Sequence, residues 1–246
     1  MRSGIWSAAS GAVGQTAALD VAANNVANAT TPGFRAETSV FRQTLADALG
    51  DAAGTRSQRF AITRTTTPDF RPGQMVHTNR ALDLALTDDR SFFAVATPAG
   101  ERYTRAGNFR LDVSGNLVTA DGLPVLGTNR RPITLGPGAH DVAIAADGSI
   151  SMRGEPTGST IGVFGFANLN GLEKEGQVLI RARPEAGRPE ARATAIESNT
   201  LELSNANAVT GMTSLVNASR QFEMVTRVIE AFSQVERRAA TDIMKR

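Results

Sequence analysis

The sequence predicts an α+β fold in which helices from both chain ends pair as a coiled coil around a central, mainly-β domain of sandwich or irregular-barrel type. Three observations predict it. Ile5, Ala9, Ala12, Thr16, Leu19, Ala23 and Val26 recur at alternating steps of four and three. Leu215, Ala218, Phe222, Val225, Ile229, Phe232, Ala239 and Ile243 keep the same register, broken only by Glu236. That spacing places a narrow apolar stripe on a helix, as in a coiled-coil seam. Between the ends the apolar period falls to two, with turn residues every eight to twelve positions.

The first helix runs over about residues 4–28. Gly4, Gly11 and Gly14 lie in it, and an interior glycine costs up to ~1 kcal/mol relative to alanine. Such a helix is marginal alone and firm only when packed. Thr31-Pro32-Gly33 ends it, because proline pushes the preceding residue out of the helical region and glycine permits a positive φ. Phe34, Phe41 and Leu45 continue as a short second helix or extended arm. Residues 50–75, rich in Ala, Gly, Thr, Arg and Pro, read as a flexible connector.

Leu82, Leu84 and Leu86 then alternate with Asp83 and Ala85, and Phe93 and Val95 follow. Tyr103, Phe109, Leu111 and Val113 lead to a turn at Ser114-Gly115-Asn116. Asp121-Gly122 and Asp147-Gly148 are further turns, and an Asp-Gly pair between alternating apolar residues is a hairpin signal. Strands are expected at Ile161–Phe166 and Val178–Ile180. Residues 183–204 read as a second connector, with Pro184, Gly187 and Pro189. Ser204 or Asn207 caps the last helix. Over about residues 207–246 it would span ~60 Å at 1.5 Å per residue. Met212, Val216, Met224, Val228 and Val235 lie off its seam, so it has a second apolar face to bury. The expected organisation is a terminal helical domain from 1–35 and 205–246, a connector at 36–79, a β domain at 80–182 and a connector at 183–204.

Composition narrows the function. Of 246 residues, 41% are hydrophobic and 20% charged, which is ordinary globular material. The net charge of +2 is small, and the arginines are scattered without interleaved aromatics. No nucleic-acid partner is expected. Cysteine is absent, which removes disulfides, thiolate metal sites and cysteine nucleophiles. No transmembrane run is present, and Ser3, Gly4, Ser7 and Ser10 interrupt any secretory-signal core. Export, if it occurs, uses a route without a cleaved signal peptide.

Catalytic parts are not recognisable. His77 and His140 each lack an acidic or histidine neighbour at ligand spacing and read as surface residues. Asp112, Ser114 and Asn116 alternate like calcium ligands, but the glutamate such a loop needs is absent, so they read as a hairpin turn. No phosphate loop or nucleophile elbow occurs. No enzyme, cofactor, metal or small-molecule substrate is expected.

Three segments carry a resemblance. Ala23-Asn24-Asn25-Val26-Ala27-Asn28, continuing through Thr31-Pro32-Gly33-Phe34-Arg35, resembles the signature of the bacterial flagellar axial proteins: rod, hook and hook-associated subunits. Leu82–Leu86 with Phe92-Phe93, Tyr103–Phe109 and Asp112–Val118 resemble the central domain of the rod and hook proteins. Leu201-Glu202-Leu203-Ser204-Asn205-Ala206-Asn207, then Met212, resemble their C-terminal segment. Length fits a rod protein. Arg220-Gln221-Phe222-Glu223-Met224 is similar to the proximal rod type, with the distal rod as runner-up. One departure stands out: Asp88, Asp89, Arg90 and Ser91 occupy the place of a Gly-Asp-Gly turn, which removes easy positive φ there.

The resemblance implies a structural subunit of the periplasmic rod in the flagellar basal body. Its implied partners are other rod proteins, copies of itself and the flagellar type III export apparatus, with no direct membrane insertion. The expected assembly interface is Trp6, Leu19, Asn24, Asn25, Asn28, Phe34, Leu215, Phe222, Val225, Ile229 and Phe232. The asparagines would fix register between helices, or else lie in solvent before the stop at Thr31-Pro32. Two other readings compete: a free binding module with a β domain on a coiled-coil stalk, and a hydrolase using His77 or His140.

Overall fold

A computed structural model describes residues 2–45, 60–192 and 196–244. The chain divides into two compact units. One consists of Met1–Val26, Glu37–Thr67 and Ala208–Arg246, the other of Ala27–Ala36 and Pro68–Asn207.

In the first unit, α1 (Arg2–Ala27) and α2 (Ala208–Met244) account for the helices. They accompany a two-stranded sheet of β1 (Glu37–Leu45) and β2 (Phe60–Pro68). β1 settles the choice left open for this stretch: it is extended, not a second helix. Thr38, Val40 and Thr44 favour that conformation, because β-branched side chains suit a pleated surface. In the same way, Ile62, Thr63, Thr65, Thr66 and Thr67 make β2 a strand inside the stretch read as connector. The rest of that stretch, 46–59, lies outside the described residues. On α2 burial follows the expected stripe. Ala218 is buried, and Leu215, Phe222, Val225 and Ile229 are half-buried. On α1 it falls elsewhere: Ala17 and Ala22 are buried, while Thr16 and Ala23 on the expected stripe are exposed. The helices approach where a Cβ added to Gly211 would lie 2.7 Å from Val26 Cγ2.

The second unit is built on antiparallel strands. In chain order these are β3 (Met75–His77), β4 (Leu84–Leu86), β5 (Ser91–Thr97), β6 (Gly100–Thr104), β7 (Arg110–Leu111) and β8 (Leu117–Val118). Then come β9 (Val142–Ile144), β10 (Ser149–Met152), β11 (Glu155–Thr160), β12 (Val163–Gly165), β13 (Leu172–Glu175) and β14 (Leu179–Ala182). The last three are β15 (Glu190–Ala191), β16 (Ile196–Ser198) and β17 (Thr200–Glu202). The largest sheet has the order β13-β14-β6-β5-β12-β15, and a second has β11-β10-β9.

β5 is central, and the period of two explains its composition. Phe93 and Val95 face a core with Leu84, Leu86, Phe109, Leu117, Ile150 and Ile161. Phe92 and Ala94 face a second core with Tyr103, Phe164, Phe166 and Ile180. A strand covered on both sides reads as a continuous apolar run. Phe93 meets Phe109 edge-on at 5.1 Å, and Tyr103 meets Phe166 at 4.8 Å, the geometry aromatic quadrupoles prefer.

The expected hairpins form for local reasons. Asp147-Gly148 joins β9 to β10 with Gly148 at φ 83°. At the β7–β8 turn, Asp112 accepts hydrogen bonds from Ser114 N, Asn116 N and Asn116 Nδ2. Turn backbone and a turn side chain thus occupy the carboxylate that calcium-like spacing had singled out.

The segments read as connectors carry long-range pairing. β17 pairs with β3, and β16 with β4. The turn at Asp88–Ser91 does without its glycines and without any positive φ. Arg90 N donates to Asp88 Oδ1, and Ser91 Oγ donates to Asp88 Oδ2, so the aspartate side chain closes the loop locally.

Candidate functional site

The deepest polar cluster among the described residues lies in the second unit, where three segments distant in sequence converge. Arg35 comes from the segment after α1, Arg105 from the turn after β6, and Glu202 from the end of β17. Arg35, Arg105 and Glu202 are 2%, 1% and 1% exposed. Burial at that depth is tolerable for charges only when they are paired and hydrogen-bonded.

Glu202 is the hub. Its Oε1 accepts from Arg35 Nη2 at 2.5 Å and from Gly73 N at 2.9 Å, and its Oε2 accepts from Arg105 Nε at 2.8 Å. Its backbone carbonyl accepts from Gly33 N at 2.8 Å. Arg105 spends its remaining donors on carbonyls: Nη1 on Asp88 O and Ser91 O, Nη2 on Leu86 O. Burial pulls the Arg105 guanidinium below its ordinary range, and the facing Glu202 carboxylate pushes it back up. Arg35 is served unequally. Its Nε and Nη1 have no hydrogen-bond partner among the described residues.

Glycines let the backbones close around this node. A Cβ on Gly33, at φ 69°, would lie 2.2 Å from Ala106 N. A Cβ on Gly73 would lie 1.9 Å from Leu203 O. Neither distance is attainable by a real side chain, so both positions require glycine. Beside the node Phe34 is fully buried, and Lys174 Nζ stands 3.5 Å above its ring centroid while donating to Arg35 O. Asn205 gathers the same segments. Its Oδ1 accepts from Ala36 N at 2.7 Å, and its Nδ2 donates to Asp69 O and Arg71 O.

The residues singled out from sequence fall into several places. Phe34 lies at the node. Asn25 pairs both ends of its amide with the backbone of Glu37, donating to its carbonyl at 2.8 Å and accepting from its N at 2.9 Å. That is a strand-like pair made by a side chain. Asn28 is buried, and its Oδ1 accepts from Thr31 Oγ1; Asn24 is half-buried. Leu19 is half-buried on α1, and Leu215, Phe222, Val225 and Ile229 are half-buried on α2. Trp6 and Phe232 lie in α1 and α2, but their side chains are outside the description.

Sequence reasoning assigned no role to Arg35, Arg105, Glu202 or Asn205. The available signal was their place inside the three motifs that carried the resemblance. His77 and His140 are both exposed and separately engaged: Thr200 Oγ1 is 3.5 Å from His77 Nδ1, and Arg153 Nη2 is 2.8 Å from His140 Nε2. No group of three or more potential metal ligands occurs among the described residues. None of their helices is long and apolar enough to cross a membrane.

A node that binds chain segments to each other, on a chain whose long helix keeps an unburied apolar face, marks the class as an assembly subunit. Comparison with known proteins agrees. The family profile for the flagellar hook protein FlgE/F/G D1 domain matches residues 88–152. The profile for the C-terminal part of the flagellar basal body rod FlgEFG proteins matches 197–242, and that for the flagella basal body rod protein matches 5–35. The FlgF rod protein of Salmonella typhimurium is 36% identical over 89% of each chain, and that of Escherichia coli 37% over 86% of each. The FlgG rod protein of Bacillus subtilis is 32% identical over 94% of this chain and 95% of its own. The chain belongs to the flagellar basal-body rod protein family, as a structural rod subunit of FlgF type.

Proposed function

We propose that the chain stands in the proximal rod, packs helically with copies of itself and other rod proteins through α1 and α2, and transmits torque toward the hook. The single observation that carries this is the surface of α2. Val209, Met212, Val216, Met224, Val228 and Val235 remain 47–74% exposed, while Leu215, Ala218, Phe222, Val225 and Ile229 form a separate, more buried stripe. On a 100° helical wheel the two sets lie on different sides. A helix with two apolar faces has more to cover than one partner helix provides. These exposed valines and methionines, interspersed with Arg220, Glu223 and Arg227, offer neighbouring subunits a mixed apolar and charged surface.

In the assembled rod α1 and α2 pair as a coiled coil, and neighbouring subunits cover the second face of α2. The interface comprises Trp6, Leu19, Asn24, Asn25, Leu215, Phe222, Val225, Ile229 and Phe232, with the buried Asn28 and Phe34 supporting it from inside the subunit. The subunit reaches the periplasmic rod through the flagellar type III export apparatus without a cleaved signal peptide, and its role is not enzymatic. The higher identity to the FlgF proteins of Salmonella typhimurium and Escherichia coli favours the proximal rod. The near-complete coverage of the Bacillus subtilis FlgG protein keeps the distal rod as the second reading.

Charge on the second face tests the proposal. Val216→Asp with Val228→Asp should abolish motility and incorporation into basal bodies while leaving the exported protein folded. Normal incorporation of that variant would refute the assignment of this face.

A further inference from the structure

We infer that residues 31–36 form a separable strap on the second unit, held shut by Glu202 and able to open while the rest of that unit stays folded. The argument rests on the asymmetry of the node. Arg105 is anchored by Glu202 and by three backbone carbonyls, those of Leu86, Asp88 and Ser91. Arg35 donates to Glu202, and its buried Nε and Nη1 have no hydrogen-bond partner among the described residues. Glu202 carries one negative charge and faces two guanidinium groups. With the strap docked, that one carboxylate is shared by two guanidinium groups, and the Asp69 and Asp88 carboxylates act on Arg35 and Arg105 only through space. With the strap away, Arg105 and Glu202 remain as a complete, neutral, hydrogen-bonded pair.

Buried guanidinium nitrogens without acceptors are costly, and here that cost falls on the strap. Its docking rests on Phe34 beneath Lys174, on the bond from Gly33 N to the Glu202 carbonyl, and on Asn205, which bonds Ala36 N. These partners come from positions 174 and 202–205. The strap therefore closes only once the C-terminal segment is present and folded. Low-stability elements of this kind open without global unfolding. In a chain that crosses a membrane unfolded, such a latch couples the N-terminal segment to completion of the whole subunit; this last step rests on the function proposed above.

The test uses the full-length chain in solution, so its outcome is independent of where in the flagellum the protein stands. Hydrogen exchange would be followed at the Gly33 and Phe34 amides and across β5 in the wild type, Glu202→Gln, Arg35→Met and the double variant. Glu202→Gln leaves two buried guanidinium groups facing a neutral amide. The expected result is exchange at least about tenfold faster at Gly33 and Phe34, with β5, which keeps the three carbonyl anchors of Arg105, accelerated by a smaller factor. Trypsin should then cleave after Arg35 before it cleaves after Arg105. Arg35→Met in the Glu202→Gln background removes one of those two guanidinium groups, leaving Arg105, and should slow Gly33 exchange by at least about threefold relative to Glu202→Gln. Parallel acceleration of β5 and the strap would overturn the inference, since Glu202 would then support the whole unit. An unchanged Gly33 amide in Glu202→Gln, or failure of Arg35→Met to rescue, would overturn it equally.

Discussion

Gly107→Ala makes a severe demand on the second unit, and its size follows from one distance. A Cβ at Gly107 would lie 1.8 Å from Leu84 O and 2.7 Å from Leu84 C, where real Cβ contacts essentially never fall under 3.0 Å. The two backbones must therefore part by more than about 1 Å, and both are main chain, so no side-chain rotation relieves the clash. Two hydrogen bonds join these strands: Leu84 N to Gly107 O at 3.0 Å and Phe109 N to Leu82 O at 3.2 Å. Losing both costs roughly 2 kcal/mol. Phe109 and Leu84, both fully buried in the first core, are unseated by the same movement. A partial loss of their packing adds about 2 kcal/mol more, toward the lower end of large-to-small core costs. The expected destabilisation is about 4 kcal/mol, or a Tm lower by roughly 8–16 °C at 2–4 °C per kcal/mol. Urea unfolding followed by near-UV circular dichroism would measure it. A loss below about 1 kcal/mol would refute the reasoning, because the strands would then have room that the geometry denies.

Other outcomes follow from the same structure. Gly11→Ala meets no atom within 4 Å in α1 and should raise helicity, stabilising the helix by up to ~1 kcal/mol, as read by far-UV circular dichroism. Glu173 is held down to about 2, from an ordinary 4.5, by hydrogen bonds from Arg183 and Arg181. Its folded value is the lower one, so its stabilisation is present above pH 4.5 and lost as pH falls toward 2. Glu173→Gln should cost under about 1 kcal/mol at neutral pH for this exposed cluster, with the gap to wild type closing in acid; a gap that widens in acid would contradict the assignment. Limited proteolysis of the monomer should leave a protected fragment running from near Pro68 to near Asn207, the continuous part of the second unit, and not a core confined to 80–180. His77→Ala with His140→Ala should leave motility unchanged, and loss of motility would revive the hydrolase reading.

The sequence disclosed what is local. Asp147-Gly148 and the Asp112–Asn116 turn announce hairpins because the turn chemistry lies within a few residues of itself. The stripe on α2 is legible because helical period and burial coincide there. The stripe on α1 was misleading as a guide to burial within one chain. Alanine and glycine occupy several of its faces, so composition gives little contrast between them. The strands at 75–77 and 196–202 escaped because their partners lie more than a hundred residues away and each run is three residues long. The node was least legible of all. Arg35 and Glu202 are 167 positions apart, and an arginine or glutamate destined for burial looks like any surface charge until its partner is found.

The central claim is that this chain is a structural part of the rod, placed at its proximal end. Quantitative mass spectrometry of purified hook–basal bodies tests it most directly. The account predicts that the chain is present at a few copies per particle. Many copies would move it to the distal rod, and absence from the particles would contradict the account.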